Sequence, residues 1–307
     1  MGKIKKILRK SNFLLNLYIL FLNKKSIVKR MVFGDKKIIE KKWEKQFGYK
    51  IDFNNLHTLN EKIQWLKLYD RRQIYTLYAD KLQCRYLLSQ HFGDEHCVPL
   101  LFKTNRVKDI NKTNITTFPC IIKPNNGSGL YHIFRSGKDI NWKHLRRDCK
   151  TWLKIDYYSS SQEYQYHDIK PYIIVEKLLL TSEGKIPNDY KLHYINGQLE
   201  FIYCSIDREG LNYRQIYDSN WNKLPFNWSH DNSSINSGFR ITMPHSFELM
   251  KKIGSFIAAD MKYVRVDFFD VDGFLYYGEI TLYHGSGFDP FTPEKYDLFY
   301  GEKISLK

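Results

Sequence analysis

Cysteine is scarce and unpatterned in this 307-residue chain. Its five cysteines, Cys84, Cys97, Cys120, Cys149 and Cys204, are odd in number and form no C-x-x-C pair. That excludes a disulfide framework and a cysteine zinc site, and it fits a reducing compartment. Long hydrophobic runs are also missing. The stretch "FLLNLYILFL" over 13–22 is ten residues long and contains Asn16, whereas a membrane-spanning helix needs roughly 18–20 apolar residues. No small-residue cleavage site follows it, so a signal peptide is not indicated. Acidic residues are absent from positions 1–30, which hold nine Lys/Arg. There is no internal repeat, no low-complexity tract and no visible nucleophile triad.

What is present supports a packed core. Hydrophobic content is 43% and aromatic content 16%, which excludes a disordered chain. The length suits one large domain or a multi-lobed one. The net charge is +15, and residues 1–50 carry +12 of it, 15 Lys/Arg against three Asp/Glu. Two readings of this extension stand side by side. It is an amphipathic segment lying on an anionic membrane surface, or a helix packed on the domain with its lysines solvated. Basic residues are not interleaved with aromatics on a recognisable module, so no nucleic-acid partner is expected.

Periodicity predicts helix over 1–50, broken near Gly34-Asp35, and further helices over 59–70, 75–92, 139–157 and 246–261. Strand-like runs are "HCVPLLF" (96–102), "FPCIIK" (118–123), "LYHIF" (130–134) and "PYIIVEKLLL" (171–180). Residues 190–206 read as a hairpin turning at Asn196-Gly197. Residues 263–281 read as a second hairpin. Helices and strands do not alternate regularly, which points to α+β.

Four segments carry candidate chemistry. "KPNNGSG" (123–129) is a glycine-rich loop between two strands, without the Gly-Lys-Ser/Thr of a Walker loop. It reads as a flap whose backbone can approach phosphate, with Lys123 as a point charge, or as a plain hairpin turn. "NDYKLHY" places Asp189 and Lys191 on one strand face, where a solvated ion pair explains them equally well. The second hairpin holds Arg265, Asp267 and Glu279 in strand interiors, where acidic residues are depleted. A two-residue Asp272-Gly273 turn would send Glu279 to the opposite face. A three-residue turn (Val271, Asp272, Gly273) places Arg265, Asp267, Glu279 and Thr281 together. Two carboxylates and a cation on one face suit a divalent ion and a phosphoryl group; a buried ion cluster is the alternative. "GSG" (285–287) can form an anion-binding nest, or a plain turn. The Asp270-x-Asp272 pair matches the D-x-D of metal-dependent glycosyltransferases, but Gly273 follows it and a turn accounts for it.

The order Lys and Gly-rich flap, Glu176, Lys191, Arg265-x-Asp267, Glu279-x-Thr281 and a Gly loop resembles the ATP-grasp superfamily. More closely, it resembles the teichuronopeptide-biosynthesis (TupA-like) branch, over roughly residues 55–300. The stretches "LNEKIQWLKLYDRR", "YADK", "DYKLHYING", "VRVDFFDVDGFLYYGEIT" and "GSGFDPFTPEKYD" carry it.

The resemblance implies an α+β ATP-grasp fold, two subdomains sandwiching ATP. A ligase domain would span 51–307, with a lid subdomain near 116–180, after a basic helical extension over 1–50. It implies phosphate contacts at Lys123 and Lys191, a phosphate lid at Asn126, Gly127, Ser128 and Gly129, and an adenine-receiving linker starting at Glu176. Mg²⁺ would sit on Asp267 and Glu279, with Thr281 where the pattern has Asn. Arg265, with Lys191, would stabilise the acyl-phosphate transition state, and Gly285, Ser286 and Gly287 would bind the acceptor. The flap departs from the pattern at Asn126 and Leu130, where His and Gly are expected.

The implied activity is ATP-dependent ligation of a carboxylate to an amine. It would join an amino acid to a uronic-acid-containing surface polysaccharide, such as a capsule, or to its lipid-linked precursor. The enzyme would be bacterial and cytoplasmic, peripheral on the inner face of the plasma membrane. The other enzyme class is a glycosyltransferase using Asp270 and Asp272.

Overall fold

A computed structural model describes residues 11–206, 209–210, 213–229 and 240–306. The start of the basic extension, residues 1–10, lies outside them. The chain divides into two compact units. The first comprises residues up to Ile38, Asp80–Leu82 and Pro99–Leu178; the second comprises Ile39–Ala79, Gln83–Val98 and Leu179 onward.

The first unit is built on a four-stranded antiparallel sheet in the order β1-β4-β2-β3. These strands are β1 (Leu100–Thr104), β2 (Cys120–Pro124), β3 (His132–Phe134) and β4 (Ile173–Lys177). One face packs with the helix Trp142–Trp152, burying Cys120, Ile122, Leu145, Cys149, Trp152 and Val175. At roughly 25 cal/mol per Å² of apolar area, this burial is the main stabilising contribution of the unit.

The long helix α1 (Asn12–Phe47) begins in this unit and loses helical geometry at Gly34, where φ is 71°. The break falls where glycine was expected to interrupt the pattern, because only glycine adopts that φ without cost. Up to Gly34, α1 meets the unit through polar side chains. Asn12 and Asn16 donate to Asp148 Oδ1 at 2.6 and 2.7 Å. Asn23 bonds the backbone of Lys154 and Asp156. Arg30 donates to Ser159 Oγ and lies over the Tyr158 ring. Burial works against the Asp148 anion, but hydrogen bonds from His132, Asn16 and Asn12 hold its carboxyl below its ordinary value.

The second unit is built on a five-stranded antiparallel sheet in the order β10-β9-β5-β6-β7. Its strands are β5 (Asp189–Ile195), β6 (Gln198–Ile206), β7 (Tyr213–Tyr217), β9 (Tyr263–Val271) and β10 (Phe274–Thr281). A small pair, β8 (Asn227–Trp228) and β11 (Phe291–Thr292), lies beside it in sequence but forms a separate sheet. Asn196 and Gly197 turn β5 into β6 with φ of 49° and 76°, the doubly left-handed turn that suits the twist of a hairpin. The helix Phe247–Ala258 buries Phe247, Met250, Ile253 and Ile257 in the same core as Leu192, Tyr194, Val264, Val266 and Phe268.

The expected helix over 75–92 is two helices, Gln73–Ala79 and Lys81–Phe92. Asp80 breaks it by accepting from the backbone N–H of Leu82, a local bond that competes with helix continuation.

The helix Leu59–Tyr69 opens with a capping box. Thr58 Oγ1 accepts from Glu61 N, and Glu61 Oε2 accepts from Thr58 N. It is bound to the last helix, Lys295–Glu302, by Asn60, whose backbone and side-chain N–H groups donate to Asp297 at 2.9 and 2.8 Å. Burial pushes the Asp297 carboxyl up to about 7, against those two hydrogen bonds. The folded state therefore holds a proton that the unfolded carboxyl, at about 4, has already lost. Stability from this group is complete below pH 4 and is lost as the pH rises through about 7. Thermal unfolding followed from pH 4 to pH 8 should show that decline, and Asp297→Asn should flatten it.

Candidate functional site

The charged residues of the second hairpin share one face, though not by the expected turn. Val271 pairs with Phe274, so the turn is the two-residue Asp272-Gly273, with φ of 53° and 89°. That turn alone would put Glu279 on the far face. The register slips between Tyr277 and Glu279, and Gly278 is the extra residue of the bulge. Beyond it Glu279 lies opposite Asp267, and Thr281 opposite Arg265. The expected three-residue turn is therefore corrected, while the shared face holds. A side chain at 278 has no room: a Cβ there would stand 2.9 Å from the Asp267 carbonyl oxygen.

Strand β5 adds to the same face. Lys191 pairs with Asp267, His193 with Arg265, and Asp189 with Phe269. Lys191 binds the Asp189 carboxylate and stands 3.8 Å from Asp267 Oδ2. Arg265 donates Nε and Nη2 to the two oxygens of Asp267, at 2.6 and 2.7 Å. Nη2 also reaches Glu279 Oε1 at 3.3 Å, and Nη1 meets His284 Nδ1 at 3.0 Å. Burial and the Arg265 charge beside it drive His284 well below its ordinary value, so it is neutral and accepts from Arg265. Burial pushes the Asp267 carboxyl up to about 6, although Arg265 and Lys191 pull it down.

This donor set suits a hard cation. Among the described residues no group of three or more His, Cys, Asp or Glu is placed to hold a metal. Asp267 and Glu279 provide two opposed carboxylates, and Mg²⁺ is commonly held by one or two carboxylates plus phosphate oxygens and water. Asp189, expected as the strand-face neighbour of Lys191 and paired with it here, and His284, which had no expected role, belong to this face. For Asp189 the signal was an acidic residue inside a strand. For His284 there was none, because its partner is remote in sequence.

The loop after β10 is wound left-handed at three successive residues, Gly285, Ser286 and Gly287, with φ of 53°, 56° and 69°. The Ser286 N–H donates to Tyr283 O. Gln64 donates to the carbonyls of Ser286 and Gly287, and buried Lys67 donates to the carbonyl and hydroxyl of Ser286. The helix Leu59–Tyr69 thus fixes this loop from its carbonyl side.

In the first unit, Lys123 and Glu176 form an ion pair at 2.6 Å. The flap divides in two. Asn125 donates to Asp80 Oδ1 and Lys170 O, and accepts from the Lys81 and Tyr172 backbone. Lys81 Nζ donates to Gly127 O at 2.7 Å. Asn125, Asn126 and Gly127 are buried, while Ser128 and Gly129 are exposed. The tip is therefore free and the root is stapled. The "YADK" stretch supplies Asp80 and Lys81, to which the sequence reading gave no role.

The D-x-D carboxylates serve the turn. Asp270 accepts from Gly273 N, Ser246 N and Ser246 Oγ, and Asp272 accepts from Ser182 N. These bonds account for both residues, and the glycosyltransferase reading has no other support.

A family profile described as TupA-like ATPgrasp matches residues 61–305. No curated protein matches the chain. Solved structures similar to it include D-alanine–D-alanine ligase from Helicobacter pylori, at 17% identity and TM-score 0.43, covering 81% of this chain and 71% of that one. The same enzyme from Bacillus anthracis, complexed with ATP, matches at 16% identity and TM-score 0.38, covering 67% and 56%. The ATP-grasp ligase PsnB complexed with a minimal precursor matches at 14% identity and TM-score 0.37, covering 68% and 53%. The chain thus spans about half the length of these last two proteins.

Two outcomes follow from this geometry. Gly278→Ala should lower stability by about 1–3 kcal/mol by overpacking, read as a shifted urea midpoint with an unchanged slope. Lys81→Ala should speed amide hydrogen exchange at 125–127, while exchange at 128–130 is fast in both proteins.

Proposed function

This chain belongs to the TupA-like ATP-grasp family, and from that premise we propose that it is an ATP-dependent carboxylate–amine ligase. The substrate carboxylate attacks the terminal phosphorus of ATP, a new O–P bond forms, and ADP leaves. An amine then attacks the acyl carbon, phosphate departs, the amine gives up a proton, and an amide remains. The observation that carries this reading is the single face on which Asp267, Glu279, Arg265 and Lys191 meet. It offers oxygen ligands and fixed positive charge, and phosphoryl transfer is catalysed chiefly by such positioning and electrostatics.

Asp267 and Glu279 would hold Mg²⁺, which supplies charge neutralisation at phosphate oxygens when bound. Lys191 is a compact cation beside that position, and Lys123 in the first unit is a second phosphate-binding candidate. Arg265 is tied to Asp267, Glu279 and His284. In this arrangement it orients the two carboxylates; contact with the transferring group would require it to release one of them. The exposed tip Ser128–Gly129 can fold over phosphates, and Gly285–Gly287 with Ser286 would shape the acceptor side. The family resemblance favours an amino acid as one substrate and a uronic-acid-containing surface polysaccharide, or its precursor, as the other.

ADP release in the presence of ATP and Mg²⁺, screened over amino acids with and without uronic-acid glycans, tests both levels of this reading. Stimulation by one amino acid together with a uronic acid is the expected result; stimulation by an amino acid alone would retain the ligase and remove the glycan. Asp267→Asn and Glu279→Gln should each lower turnover roughly a hundredfold or more; Asp267→Asn, which removes a buried counter-charge of Arg265, should also lower the melting temperature, whereas the more exposed Glu279→Gln should change it little. Wild-type ADP production by either variant would remove the metal assignment.

A further inference from the structure

Helix α1 buries Ile38, Ile39 and Trp43 past its break and half-buries Leu15, Ile19, Leu20 and Ile27 before it, but up to Gly34 it also turns a second apolar stripe outward. A helix on a globular protein ordinarily turns its apolar stripe inward. Here Asn12, Asn16, Asn23 and Arg30, spaced by four, seven and seven residues, form the face that bonds the first unit. The other side carries Leu14, Leu17, Phe21, Val28, Met31 and Val32, whose side chains are between 46% and 77% exposed. At 3.6 residues per turn these six share one stripe, roughly opposite the asparagines. Lys24 and Lys25 fall at its middle and are exposed. Such a contiguous apolar face marks an interaction surface.

We propose that this outward stripe of α1 lies in the interfacial layer of an anionic lipid membrane, parallel to its plane. Among the described residues no helix is long and apolar enough to cross a membrane, so the contact is one of lying on the surface. The charge pattern selects this occupant. Residues 1–30 hold nine Lys/Arg and no acidic residue, and each basic group near an anionic leaflet adds to the attraction. An isologous pairing of two copies along the stripe would bring Lys24 and Lys25 of each close to those of the other, and like charges there oppose association. A headgroup layer takes both lysines at once while the apolar side chains enter the acyl boundary. The inference rests on α1 and on the basic residues that precede it in the sequence, and it stands whether or not the ligase reading holds.

The test uses the full-length chain and sedimentation with vesicles of phosphatidylcholine alone or with one-third phosphatidylglycerol. Binding to the anionic vesicles at low salt, at least tenfold tighter than to the neutral ones and weakened by 0.5 M NaCl, is expected. The variant L17E/F21E/V28E changes only exposed positions and should lose at least tenfold of that binding with unchanged thermal unfolding. Absence of binding to anionic vesicles overturns the proposal. So does unchanged binding by the triple variant, which would assign the effect to basic residues alone. A wild-type dimer in light scattering that the triple variant dissolves would assign the stripe to a second copy and overturn it too.

Discussion

The Arg265 guanidinium is the constraint around which the second unit is arranged. It is buried, and a buried cation must find its full set of acceptors because water is not there to supply them. Asp267 provides two oxygens, Glu279 one, and His284 a ring nitrogen. Removing one partner of such a group leaves an uncompensated charge and costs about 3–5 kcal/mol. The arrangement is therefore stiff. It sets where Glu279 must stand, and so requires the bulge at Gly278. It also holds His284 neutral at the mouth of the left-handed loop, so that the carboxylates of one hairpin and the glycines after it are tied to one group.

The same economy of anchoring appears in the first unit. Asn125 uses its backbone and side chain to join the flap root to Asp80, Lys81, Lys170 and Tyr172. Two neighbouring segments, 80–81 and 170–172, fix a short glycine-rich loop at its base and leave two residues, Ser128 and Gly129, exposed at its tip. A loop held in this way retains local freedom where glycine has no side chain to lock, which is where an ordering ligand would act. Helix α1 shows the converse. Its asparagines hold it to the unit by hydrogen bonds, while Leu14, Leu17, Phe21, Val28, Met31 and Val32 stay exposed.

Much of this is legible in the sequence. Asn196-Gly197 and Asp272-Gly273 announce their hairpins because only residues tolerant of positive φ close such turns. Arg265, Asp267 and Glu279 stood out because charges inside strands need a reason. Gly34 announced the break in α1. The misreadings arose where two short-range rules competed. A three-residue turn is the simplest sequence route to bringing the carboxylates together, since a bulge five residues past Gly273 leaves little mark beyond the single glycine at 278. The helix over 75–92 was read through Asp80 because apolar spacing continued across it.

Local chemistry in the sequence determined the element types, the turns, the α+β class and the residues able to bind phosphate or a divalent ion, because those depend on side-chain type and on neighbours a few positions apart. Tertiary structure alone decided which face each charge occupies, that His284 meets Arg265, that Gln64 and Lys67 clamp the loop at Ser286, and that α1 leaves one apolar stripe exposed before Gly34. Each of these depends on a partner tens to hundreds of residues away, and on a register that one bulged residue can invert.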